Sequence, residues 1–357
     1  MNNKINSFAL STIMFSISLA VLFGIINSYM LNTSKTSIPL SLFIGYIISI
    51  LLSLIPLKLF STIPNKDIND KLKIAYGKIS IIIKIIYILC SLTLYILITY
   101  RLTSFLSSQY LVQTNKLYIF TLTLFITYYI ANKGIETTTR VSTISFFVCT
   151  AIFIFDALGL LTHVNIENLY PIINASKQNI VKSALMFSIF FSTPFTYINI
   201  IKKNDLADKK KFTKKYHMMH IISFILITTA IIITLGVYGI HLANLFDYPL
   251  YTVLKKISLF SFIDSIENAS IMLWPLSLVN ASAIILLFIF NIIESITKNS
   301  KQIKIGIILI SFLIPYFFLM NNNIIESFQY LIIPSSIVII LQLTNLLTVI
   351  ILKIKET

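Results

Sequence analysis

Charge is what this sequence has least of. Only 11% of its 357 residues are Asp, Glu, Lys or Arg, against 57% hydrophobic ones, whereas globular chains average about 25% and about 45–50%. A water-soluble chain cannot hide that much apolar surface, so a soluble enzyme, a secreted scaffold and a DNA-binding protein are excluded. Cysteine is equally scarce: Cys90 and Cys149 are the only two, and both lie inside apolar runs. That excludes a disulfide framework and a cysteine metal site and leaves two packed thiols. The four histidines, His163, His217, His220 and His241, never fall at a metal-ligand spacing. No glycine-rich phosphate loop or nucleophile elbow occurs either, so no cofactor, no metal and no ATP-driven or hydrolytic chemistry is expected. Arginine is limited to Arg101 and Arg140, and acidic residues number 13.

What remains is apolar and continuous. Mean hydropathy is +0.88, and uninterrupted runs near span length recur along the chain, which points to an all-α polytopic membrane protein, since lipid obliges each spanning backbone to satisfy its own hydrogen bonds. Ten spans are expected, near 8–30, 39–62, 79–107, 116–133, 141–163, 180–201, 218–243, 262–296, 303–320 and 330–352. The first is too long and has too little positive charge ahead of it for a cleaved leader, and reads as a retained helix.

The net charge of +15 is orientation charge. Lysines concentrate in alternate connections: Lys66, Lys71, Lys73 and Lys78 after the second span, seven between Lys202 and Lys215 after the sixth, and Lys298, Lys301 and Lys304 after the eighth. The positive-inside rule then places both termini in the cytoplasm and gives no reason to expect nucleic acid as a partner. Two long outer connections, 165–180 and 244–261, each carry a Tyr-Pro pair, with Tyr170, Tyr248 and Tyr251 expected at headgroup depth.

Within the spans, small residues at four-residue spacing (Ser41, Gly45, Ser49, Ser53) allow close helix approach. Gly24 interrupts the first span. Pro194 interrupts the sixth, with Ser188, Ser192 and Thr193 available to bond the freed carbonyls. Interruptions at matching positions indicate a five-plus-five inverted repeat inside one membrane domain over 1–357, with halves 1–163 and 180–352 and a binding site near the midplane. Facing each other, these breaks would enclose Phe23 and Gly24, Tyr95 and Thr99 from the polar stripe of span three, and Ser188, Phe191, Ser192 and Thr193. Such a neutral, aromatic-walled cavity suits a zwitterionic amino acid. Glu136 and Arg140, four apart after Gly134, are spaced for an ion pair at a helix start. Asp156, mid-span, is expected to be neutral, paired or facing water, and Asp264 with Glu267, at the start of span eight, suit structural or gating roles better than catalysis.

Four stretches carry a family likeness: I-N-S-F-A-L-S-T with Gly24 beyond it, G-I-E-T-T-T-R ending at Arg140, S-I-F-F-S-T-P-F with its lysine-rich exit, and D-Y-P-L-Y-T-V-L-K-K-I-S-L-F-S-F-I-D-S-I-E ending at Glu267. In this order and spacing the chain resembles the endospore germination permease family, the B subunits of GerA-type nutrient germinant receptors. The resemblance implies a fold of the amino acid/polyamine/organocation (APC) type, a small germinant such as an amino acid, A and C subunits as partners, and the inner membrane of the spore. The chain departs from the family pattern in keeping only a lone glycine in span one and in placing Ser265 and Ile266 beside Glu267. A receptor subunit, a secondary permease coupled to H⁺ or Na⁺, and a structural partner with a vestigial pocket remain as alternative readings.

Overall fold

The computed structural model describes residues 4–21, 26–257, 273–297, 299–320 and 332–356. Isoleucine and threonine are indifferent helix formers in water, yet nearly every apolar run here is helical, because in lipid the helix is what satisfies the backbone locally. The helices are α1 (Ser7–Val21), α2 (Asn27–Ser34), α3 (Ile38–Ser61), α4 (Ile68–Tyr76), α5 (Ser80–Gln109), α6 (Lys116–Asn132), α7 (Ile135–Leu160), α8 (Lys177–Ser192), α9 (Pro194–Tyr197), α10 (Phe212–Leu245), α11 (Pro249–Thr252), α12 (Leu273–Ile296), α13 (Ser300–Met320) and α14 (Ile332–Glu356). Side chains start several of them: Asp67, Asn115 and Ser176 accept from the backbone amides of Asp70, Leu117 and Asn179, occupying donors that a helix start leaves orphaned.

Seven helices among the described residues are long and apolar enough to cross a membrane. The three other expected spans fall on α1, on the 17-residue α6 and on the 21-residue α13. Among the described residues no strand occurs, only an isolated bridge between Ile5 and Leu206 that ties the N-terminus to the lysine-rich connection after α9.

Burial sorts the helices. Residues 10–20 of α1 and 280–290 of α12 are buried without a break, so these helices run through the middle of the bundle. α1 packs on α7, α10 and α12, and α12 also lies along α5 and α6. Phe43, Leu51 and Leu54 of α3 and Ile81, Ile82 and Leu89 of α5 are exposed, as a lipid-facing surface requires. α3 and α8 make the closest pairing, since a methyl group added at Gly45 would lie 2.6 Å from the Ala184 carbonyl oxygen and 2.9 Å from the Phe187 ring.

Two expectations are corrected here. Tyr248 and Tyr251 are buried, packing edge-to-face on Phe105 at 5.1 and 5.3 Å; the aromatic partner offered by α5 outcompetes the interface, and only Tyr170 is exposed. Lys71 is fully buried and is no loop charge: its Nζ donates to the carbonyls of Leu59 and Phe60 at 2.7 and 3.2 Å, capping the C-terminal end of α3, where carbonyls lack helical donors and a cation suits the dipole.

Candidate functional site

The site is built around the interruption of the sixth span. Pro194 has no amide hydrogen to give the Phe190 carbonyl, so α8 stops at Ser192 and the Thr193 amide donates to Phe190 O instead, at 3.1 Å. Thr193 nevertheless keeps helical torsions, φ −56° and ψ −41°. The interruption is therefore a tightened turn and not an unwound stretch, and the backbone there presents fewer free groups than a site made of opposed half-helix ends requires. The hydroxyls of Ser188, Ser192 and Thr193 donate to the carbonyls of Leu185, Ile189 and Ile189 at 2.8, 2.8 and 3.2 Å. Tyr216 of α10 donates to Pro194 O at 2.9 Å, fixing the turn from the side.

Aromatic rings form one wall. Phe191 stacks between Phe187 at 4.7 Å and His220 at 4.4 Å. Tyr46 of α3 lies 5.1 Å from the His220 ring, and Phe195 meets it edge-on at 5.1 Å. His220 is fully buried, its Nε2 3.4 Å from Ser49 Oγ. A second group of contacts around the turn is polar and neutral. Gln342 of α14 donates to Ser192 Oγ at 3.3 Å, Asn345 donates to Thr196 Oγ1 at 3.0 Å, and Tyr87 of α5 donates to Asn345 Oδ1 at 2.7 Å.

Of the residues expected to share a pocket, Ser188, Phe191 and Ser192 lie on the last two turns of α8 and Thr193 follows at its end. Tyr95 and Thr99 are buried too, but the Tyr95 hydroxyl pairs with Thr127 of α6 at 2.8 Å and Thr99 donates to its own helix. Their polar groups thus go to α6 and to α5 rather than to α8. Phe23, Gly24 and Glu267 lie outside the described residues. Arg140 donates to Glu136 at 2.5 Å, both side chains well exposed, far along α7 from Asp156.

Sequence reasoning missed His220, Gln342 and Asn345. His220 falls on the buried stripe Phe212, Tyr216, Met219, Ser223 of α10, a helical period that would have placed it inside. Gln342 and Asn345 are three apart in an apolar run, hence on one face. A three-helix junction was missed as well: the Asn280 amide of α12 donates to Ser16 Oγ of α1 at 2.8 Å and to Ser142 Oγ of α7 at 2.7 Å. Among the described residues no three His, Cys, Asp or Glu gather in a way that could hold a metal ion. The arrangement offers aromatic faces and neutral hydrogen-bonding groups, which is a recognition chemistry.

A family model described as spore germination protein matches residues 4–326. A search by sequence among curated proteins returns no match. Among solved structures, crystal structures of a manganese transporter from Eremococcus coleocola are similar. Two of its single-residue variants align over 98% of this chain and 76% of theirs, at TM-score 0.57 and 12% identity. A complex of that transporter with an aromatic bis-isothiourea substituted compound aligns over 96% and 76%, again at 0.57 and 12%. At this identity the likeness concerns the fold, which is that of a transporter. A multi-pass membrane chain with this fold, matched over nearly its whole length, belongs to the spore germination protein family.

Proposed function

We propose that this chain is the membrane subunit of a nutrient germinant receptor, which binds a small germinant, an amino acid, in a transporter-like pocket and passes occupancy to A and C partner subunits. It sits in the inner membrane of the spore with both termini cytoplasmic, as ten spans in two inverted halves, 1–163 and 180–352. The observation that carries the reading is the Pro194 turn. In a chain of this family, burial of Ser188, Phe191, Ser192 and Thr193 next to that turn, with aromatic rings and neutral amides of α14 as neighbours, supports the reading. This reading also assigns Phe23, Gly24, Tyr95 and Thr99 to ligand binding and Pro194, Glu136, Arg140 and Glu267 to structure and gating; Phe23, Gly24 and Glu267 lie outside the described residues.

The test is made in spores. Deleting the gene and applying a panel of nutrients should remove the response to one class of them. Gly24→Trp or Thr193→Trp should abolish that same response while protein abundance and nutrient-independent germination are kept. An unchanged dose response in both well-expressed variants overturns the site assignment.

A transporter fold favours one second reading, a secondary permease coupled to H⁺ or Na⁺. Uptake of labelled amino acids into cells producing the chain alone separates the two, since a receptor subunit transmits occupancy without net flux. Manganese is the cargo named for the structural relatives, and the described residues give it no ligand set.

A further inference from the structure

Two lipid-facing stripes end in lysine. On α3 the exposed residues Phe43, Ile47, Leu51 and Leu54 follow one another at three- and four-residue steps, and the next step on that face is Lys58. On α14 the exposed Leu343, Leu346 and Ile350 do the same, and the next step is Lys353. α3 and α14 pack against each other, and the ammonium groups of Lys58 and Lys353 are direct neighbours on the exposed surface.

Two like charges do not come together unaided. Here the short helix α4 brings them together. Its Lys71 donates to the Leu59 and Phe60 carbonyls at the end of α3, and Lys355 of α14 donates to its Ile74 and Ala75 carbonyls at 2.7 and 2.9 Å. Both helix ends are thereby fastened to one element, and the last carbonyls of α3 are capped without the Lys58 side chain. Lys58 takes part in no ion pair among the described residues. Each ammonium carries three donors, so an anion can be added beside whatever contacts the two lysines already make.

The surroundings fix the class of that anion. Leu51, Leu54, Leu346 and Ile350 lie within about 10 Å of the two lysines along the helix axes, so an anion seated there has hydrocarbon on one side and water on the other. A phospholipid meets both conditions: its phosphate lies at the depth to which lysines snorkel, and its acyl chains cover apolar side chains. An acidic protein segment would pair the charges and leave the seam below them unused. Two adjacent positive groups favour two negative ones over one. We propose that the seam between α3 and α14 is a binding site for an anionic phospholipid with two phosphate groups, of the cardiolipin type, its headgroup on Lys58 and Lys353 and its acyl chains on Leu51, Leu54, Leu346 and Ile350. The site is separate from the Pro194 turn and does not depend on the receptor reading.

The test titrates lipid into the purified full chain in mild detergent and reads occupancy of the first bound lipid by native mass spectrometry. Cardiolipin should bind saturably, half-maximally at a concentration about tenfold or more below that needed for phosphatidylcholine, with phosphatidylglycerol between them. Lys58→Gln combined with Lys353→Gln should weaken cardiolipin by about tenfold or more. Lys209→Gln combined with Lys210→Gln removes the same charge from the exposed connection at the same end, where Lys203 donates to Ser61 Oγ at 3.1 Å. That control should change the affinity less than about twofold in moderate salt. Equal binding of phosphatidylcholine, an unchanged affinity in the folded Lys58/Lys353 double variant, or an equal loss in the control overturns the site. Displacement of cardiolipin by equimolar glycerol phosphate would assign the lysines to a free phosphate, and displacement by an equimolar acidic peptide to a protein partner; either overturns the lipid assignment. The headgroup comparison on the unmodified chain stands even where a variant does not fold. None of these readings touches nutrient-triggered germination, so failure here and failure of the receptor proposal are told apart.

Discussion

The imidazole of His220 lies on the face of Phe191, ring centroids 4.4 Å apart and planes 26° from parallel. Two helices are thereby joined through rings at the Pro194 turn. Phe191→Ala should cost about 3–5 kcal/mol, because the surroundings collapse only in part around a deleted ring. His220→Phe keeps volume and stacking and should cost below about 1.5 kcal/mol. Thermal unfolding of both variants in one detergent decides. Equal losses would mean that the polar contact to Ser49, and not the stack, is what His220 supplies.

Asn280 is the hub of a junction with Ser16 and Ser142. Interhelical hydrogen bonds in membranes contribute about 0.6 kcal/mol on average, so Asn280→Leu should lower stability by about 1–2 kcal/mol. Combined with Ser16→Ala, it should show a coupling of about 0.6 kcal/mol in a double-mutant cycle. Strict additivity would show that the amide does not hold α1 to α12.

Gly45 and Gly306 form a matched pair of tests. A methyl group at Gly45 meets backbone oxygen, while one at Gly306 meets nothing within 4 Å. Gly45→Ala should cost about 1–3 kcal/mol through overpacking, and Gly306→Ala should be neutral. A tolerated Gly45→Ala would mean that α3 and α8 can separate without loss.

The fold was legible where one physical rule dominated. Apolar runs located the helices, the spacing of Ser41, Gly45 and Ser49 announced a close neighbour for α3, and the proline at 194 marked the end of α8. The site was legible only along α8, because hydroxyl and aromatic residues next to Pro194 are visible in one dimension. The partners that α3, α10 and α14 bring to it, Tyr46, His220 and Gln342, are set by which helices meet. Tyr248 and Tyr251 misled for the same reason: a tyrosine near an interface and a tyrosine under a loop have the same neighbours in sequence. The opening of Tyr95 toward α6 rather than α8 depends on the rotation of α5, which a stripe of polar residues drifting around the helix leaves open.

Glu136 and Arg140 pair on an exposed first turn of α7. Solvent screening holds such a pair to about 0.3–0.5 kcal/mol. Reversing either charge should lower protein level slightly, and reversing both should restore it. A cycle with no coupling would leave the pair without a local role.

Cysteines placed at Lys209 and at Ile172, in backgrounds lacking Cys90 and Cys149, should react with an impermeant maleimide from opposite sides of the membrane, Ile172→Cys from outside. Both positions are exposed. Labelling of both from one side would remove the orientation and the inverted repeat with it.

From Phe190 to Ile201 every residue is buried, as along residues 10–20 of α1 and 280–290 of α12, whereas α3 and α5 keep a lipid-facing flank where one aliphatic side chain replaces another freely. In a library of random substitutions, that flank would show as a tolerated position every three or four residues. Across these twelve positions no such rhythm is available, and intolerance should run without a period from one end to the other. Drift in this part of the gene is confined to changes that several neighbouring helices accept at once, so the stretch around Pro194 should diverge slowly, as should residues 10–20 of α1 and 280–290 of α12.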